Sequence, residues 1–144
     1  MKRVLFVCTG NTCRSPMASA LLKERKDFEV QSAGIFAGKG MPISAAASQA
    51  LLERGIEHNH RSQPFTSELA EWADYIFTMT NQHKQLIVSQ HPSAAKKTFT
   101  LHEFSTSSVG DVQDPYGGDL SIYRETLGEL DELIRQLILK LADK

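Results

Sequence analysis

Four short runs rich in apolar and β-branched residues alternate with helical stretches, and this alternation constrains the fold more than any other feature. "KRVLFVC", "FEVQSAGIF", "DYIFTMT" and "KTFTL" read as strands. "SPMASALLKERKDF" reads as a helix, with Ser15 as its N-cap and Pro16 at the first helical position. The glycine-rich "AGKGMP" leads to a helix over Ser44 to Arg54, and Gly55 serves as its stop. "TSELAEWA" predicts a short helix, and "NQHKQLIVSQH" is helical until Pro92. Residues Ser105 to Asp119 carry serine, glycine, proline and aspartate and read as a loop. From Leu120 the chain is helical to its end. Leu120, Tyr123, Leu127, Leu130, Ile134, Leu137 and Leu141 recur at spacings of three and four, the stripe of one core-facing helix rather than a coiled coil. Strands alternating with helices imply parallel pairing through right-handed crossovers. The expected fold is therefore α/β, a three-layer sandwich around a central four-stranded parallel sheet. At 144 residues, a single domain over 1–144 is expected.

Charge and composition remove several classes of function. The net charge is −1 and the nearest approach to a basic tract is Lys96-Lys97, so no nucleic-acid partner is expected. The apolar run "VLFVC" after Lys2 and Arg3 is too short for an export signal or a membrane span, so neither a membrane partner nor export is expected. The two cysteines, Cys8 and Cys13, suit a reducing cytoplasm. No second Cys/His pair stands at ligand spacing, and His58, His60, His83, His91 and His102 are scattered, so no metal or other cofactor is expected.

What remains is "CTGNTCRS", Cys8 to Ser15, between the first strand and the first helix. Ligands in open α/β sheets bind beyond the carboxyl ends of the strands, where Cys8 falls. The backbone N–H groups of such a loop and of the helix start lack intrachain partners, and with the positive helix end they form an anion site. Gly10 is expected to permit an unusual backbone angle and close approach of an anion. Asn11 tolerates left-handed geometry and can brace the loop. Arg14 offers a planar fork of donors suited to phosphate oxygens. A nucleotide-binding P-loop would need a lysine that is absent here; a cysteine occupies the cradle instead. An electropositive nest favours the thiolate of Cys8, and Ser15 can donate a hydrogen bond to it.

"CTGNTCRS" matches the Cys-x5-Arg-Ser/Thr signature. Together with the late "DPYGG", Asp114 to Gly118, and the chain length, it resembles the low-molecular-weight protein-tyrosine phosphatases over essentially the whole chain. The resemblance implies a metal-free, two-step phosphatase. Cys8 attacks phosphorus to form a phosphocysteine, and Arg14 binds the equatorial oxygens. Asp114 first protonates the leaving group and then activates water. Thr9, Gly10, Asn11, Thr12, Cys13, Arg14 and Ser15 form the phosphate-binding loop. Asp111 and Asp119 flank Asp114, and only the Asp-Pro match separates the three. The resemblance further implies that Ser32 and His60 hold Asn11 in its pose, and that Cys13 forms a reversible disulfide with Cys8.

Three residues bear on the substrate. Thr12 stands where phosphotyrosine-directed members commonly carry a bulky aliphatic residue, Tyr116 is followed by two glycines rather than a second aromatic, and Phe36 is placed as an aromatic wall. These features, with "MTNQHKQLI" and "DVQDPYGG", look like the bacterial branch acting on phosphoarginine in proteins. A hydroxyl at residue 12 suits a polar, planar guanidinium leaving group, and sites that hydrogen-bond their substrate discriminate strongly. The expected partners are phosphorylated proteins, with inorganic phosphate or vanadate as inhibitors, acting on a monomer. Phosphotyrosine is the rival substrate. An arsenate reductase would need further cysteines after Cys13, and a non-catalytic phosphate-binding module would need neither Cys8 nor Asp114.

Overall fold

The computed structural model describes residues 1–142. Four parallel strands, β1 (Lys2–Cys8), β2 (Phe28–Gly34), β3 (Tyr75–Thr78) and β4 (Thr98–Thr100), lie in the order β2-β1-β3-β4. The helices are α1 (Arg14–Lys23), α2 (Ala45–Glu53), α3 (Ser67–Trp72), α4 (Asn81–Gln90), α5 (Leu101–Thr106) and α6 (Leu120–Ala142), with a 3-10 turn over Pro92–Lys97. The predicted architecture is the one observed.

β1 explains the layering. Side chains alternate across a strand, so a central strand covered on both faces must be apolar throughout. Val4, Phe6 and Cys8 join one core with α1, α2 and α6, while Leu5 and Val7 join the other with α3, α4 and the 3-10 turn. Every predicted α6 stripe residue from Tyr123 to Leu141 is buried; Leu120, at the helix start, is only partly so. Gly55 follows α2 with φ of 72°, the left-handed stop its position suggested.

Three elements differ from those the sequence predicts. Ser15 is not an N-cap: α1 starts at Arg14, Cys13 holds the cap position without a side-chain cap bond, and Ser15 is fully buried in the first turn. The same helix ends at Lys23 rather than Phe28, because Phe28 pairs with Lys2 to open β2. Leu101 is not strand, and Ser105 and Thr106 are not loop. All three belong to α5, started by a capping box in which Thr100 and Glu103 satisfy each other's backbone N–H groups. Left-handed Ser107, with φ of 62°, follows this helix. The helical reading of residues 143 and 144 lies outside the described residues.

Candidate active site

The loop after β1 is held from three sides. The end of β2 continues alongside it, with Ile35 N donating to Cys8 O and Phe36 N to Thr9 O, both at 3.0 Å. This approach requires glycine at 34: a Cβ there would lie 2.5 Å from Thr9 O and 2.9 Å from Asn11 N. On its outer side the same glycine pairs with residues 63–65, through Gly34 N to Gln63 O and Phe65 N to Gly34 O. The loop is thus built as an extension of the sheet.

Asn11 is the internal brace. It is fully buried, with φ of 56°. Gln63 N can only donate, and it reaches Asn11 Oδ1 at 3.0 Å, which fixes the orientation of the amide. Asn11 Nδ2 therefore donates to Ser15 Oγ at 2.8 Å and to Ser32 Oγ at 2.9 Å. His60 Nε2 donates to Asn11 O at 2.6 Å. Burial pulls the His60 pKa below its ordinary value, partly opposed by this bond. Ser32 and His60 thus both hydrogen-bond to Asn11. Gly10 does not adopt the unusual backbone angle expected of it: its φ is not positive, and the left-handed residue of the loop is Asn11.

These bonds orient the hydroxyl beside the thiol. Ser15 Oγ accepts from Asn11, which leaves its proton free, and Cys8 Sγ lies 2.8 Å away. Ser15 O–H can therefore donate to a Cys8 thiolate. Arg14, buried to 5% exposure, donates through Nη1 to Val112 O at 3.1 Å, and its Nη2 lies 3.6 Å from Asp114 Oδ2. The loop carrying Asp114 is pinned by Val112 N to Met79 O and by Gln113 Nε2 to Thr126 Oγ1. Between the two loops opens a cavity of about 260 Å³ that includes Cys8, Thr12, Cys13, Arg14, Asp114 and Tyr116 in its walls. Larger surface hollows of about 410 and 450 Å³ do not reach the loop.

The three aspartates now separate. Asp111 accepts from Asn81 N, and Asp119 accepts from Ile122 N at the start of α6. Asp114 alone faces the cavity, its Oδ1 engaged by Tyr116 N at 3.1 Å and its Oδ2 toward Arg14. Phe36 is not brought to the cavity wall. Its backbone is tied to Thr9, while its side chain is 76% exposed and lies outside the lining.

Residues the sequence reading did not select complete the arrangement. Tyr123 Oη lies 3.3 Å from Cys13 Sγ, whose thiol donates to Ser44 Oγ at 3.5 Å. Burial, followed by the contact with Cys13, pushes the Tyr123 pKa up to about 12, so its hydroxyl keeps its proton. His83 Nε2 lies 2.9 Å from Thr9 Oγ1. Gly34, Gln63, His83 and Tyr123 belong to distant segments, and only the glycine inside a strand-like run gave any signal. Among the described residues, no group of three His, Cys, Asp or Glu side chains could hold a metal ion, and no helix is long and apolar enough to cross a membrane.

The family model described as low molecular weight phosphotyrosine protein phosphatase matches residues 3–144. A protein-arginine-phosphatase of Bacillus subtilis (strain 168) is 51% identical over 139 residues, covering 93% of each chain. The low molecular weight protein-tyrosine-phosphatase PtpB of Staphylococcus aureus is 41% identical over 136 residues, covering 94% of this chain and 96% of its own. The solved structure of a YwlE arginine phosphatase mutant with a phosphorylated active-site serine superposes with a TM-score of 0.94 at 50% identity, covering 97% of this chain and 95% of the other. With loop, fold and full-length similarity in agreement, the chain belongs to the low molecular weight phosphotyrosine protein phosphatase family.

Proposed function

We propose that this phosphatase hydrolyses phosphoarginine in proteins through a phosphocysteine intermediate on Cys8. The observation that carries the reaction is the hydrogen-bonded chain from Asn11 through Ser15 to Cys8 Sγ, which stabilises sulfur as thiolate and as departing group. The thiolate attacks phosphorus and the bond to the guanidinium nitrogen breaks. Asp114 gives its proton to that nitrogen from Oδ2, the oxygen left free by Tyr116 N. Water then attacks phosphorus, Asp114 takes the proton, and the sulfur leaves. Arg14 and the loop N–H groups stabilise the equatorial oxygens in both steps. General acid catalysis of this kind contributes about 10²–10⁴-fold. The solved structure of a relative in which a serine replaces a cysteine and stands phosphorylated in the active site supports the covalent step.

The substrate reading rests on Thr12, which lines the cavity, and on a relative of 51% identity named as a protein-arginine-phosphatase. Phosphotyrosine is the second reading, favoured by the 41% identical PtpB. Paired kinetics on phosphoarginine and phosphotyrosine peptides decide between them. The wild type is expected to favour phosphoarginine, and Thr12→Ile to move the ratio at least tenfold toward phosphotyrosine. A wild-type preference for phosphotyrosine that Thr12→Ile leaves unchanged removes the phosphoarginine reading. The proposal also includes one catalytic domain acting as a cytoplasmic monomer, inhibition by phosphate or vanadate, and a protective Cys8-Cys13 disulfide.

A further inference from the structure

Beside the loop lies a pair that the chemistry above leaves unused. Thr9 is exposed, whereas its neighbours Cys8, Cys13 and Arg14 are buried. It lines the cavity, and so stands at the rim of the cleft rather than in its floor. Its Oγ1 lies 2.9 Å from Nε2 of His83, a residue only 6% exposed that enters from the first turn of α4. His83 Nδ1 has no hydrogen-bond partner among the described residues.

That idle atom fixes the direction of the bond. A neutral imidazole has one N–H and one lone pair. With the proton on Nδ1, a buried N–H would be orphaned, which is the rarer defect. With the proton on Nε2, only a lone pair is idle, and Nε2–H donates to Thr9 Oγ1. The Thr9 oxygen keeps its second lone pair for a molecule in the cleft. A guanidinium leaving group carries several N–H donors, and a phenolic one carries none.

The ring is also uncharged. Burial and then Arg14 push the His83 pKa down to about 4, against the opposing pull of Asp111 and Asp114. These are the charged groups that face it, from α1 and from the loop before α6. A neutral ring places no second cation next to Arg14 where a guanidinium must bind.

We propose that Thr9 and His83 form a second specificity element, in which His83 positions the Thr9 hydroxyl to accept a hydrogen bond from a nitrogen leaving group. The proposal rests on the phosphoarginine reading. The readout is the ratio of kcat/KM for a phosphoarginine peptide to that for a phosphotyrosine peptide. Thr9→Val should lower this ratio roughly 3- to 10-fold, the range expected for one hydrogen bond. Thr9→Ser, which keeps the hydroxyl, should restore it. Equal losses on both substrates, or no loss, would overturn the contact.

His83→Leu should lower the same ratio, and the double variant should fall no further than Thr9→Val alone. Additive losses would show that His83 does not act through Thr9. Because Thr9 is exposed, Thr9→Val tests the contact even if the buried His83→Leu fails to fold. Where a wild-type preference for phosphotyrosine that Thr12→Ile leaves unchanged removes the phosphoarginine reading, the Thr9→Val ratio still reports whether the contact exists.

Discussion

Asn11 satisfies its whole side-chain amide inside the protein while its backbone sits in a left-handed conformation. Such strain persists where the surroundings over-determine it. Here they do so through Ser15, Ser32, Gln63 and His60. Gly34 is the matching residue on the sheet. Gly34→Ala would drive a methyl group into Thr9 O and Asn11 N, which are backbone atoms with no rotamer to yield. The loop must shift by some tenths of an ångström, enough to disturb a geometry that tolerates little error. Gly34→Ala should reduce kcat/KM by about 10²-fold while circular dichroism stays native-like. Activity within a factor of two of wild type would show that the loop absorbs the intrusion.

α6 closes one face of the sheet with a regular buried stripe, but Gly128 interrupts its helix propensity. A Cβ at 128 would meet only Arg54 Nη2, at an ordinary 3.6 Å. Gly128→Ala should therefore stabilise the fold by about 0.5–1 kcal/mol, measured by urea denaturation; a loss of stability would reveal a hidden clash. This helix also illustrates which elements were legible. Its period of three and four is a property of the local sequence, as is the unbroken apolar run of β1. Six-residue α5 is too short for periodicity, and its Thr100–Glu103 cap follows a strand so closely that serine-rich sequence beyond it reads as loop. Ser15 misled for a different reason. Ser-Pro has the form of a cap, but the hydroxyl is directed to Cys8. The loop itself was readable because it is contiguous. Gln63, His83 and Tyr123 were not, because topology alone brings them to it.

Across the whole molecule, buried histidine links stability to pH. The folded His83 pKa of about 4 lies below the ordinary 6.5, so between these values the unfolded chain binds more protons. By linkage, stability rises with pH in that window. The contribution is fully present above pH 6.5 and is lost as pH falls toward 4. It amounts to roughly 3 kcal/mol. His60 is shifted in the same direction by burial. In urea titrations at pH 7 and pH 4.5, His83→Gln should lose less stability on acidification than the wild type. Equal losses would mean that His83 takes up its proton without cost.

The hydrogen bond from Arg14 Nη1 to Val112 O joins residues 98 positions apart. It ties the loop after the first strand to the loop before the last helix, and Met79, the residue after β3, holds that second loop through its carbonyl. The loop after β1 and the segment that carries Asp114 are therefore not modules that can be inherited separately. Any truncation that removes α6 with the segment before it takes away the carbonyl against which the arginine is set. A fragment bearing the whole "CTGNTCRS" motif would keep the signature of the family without its chemistry.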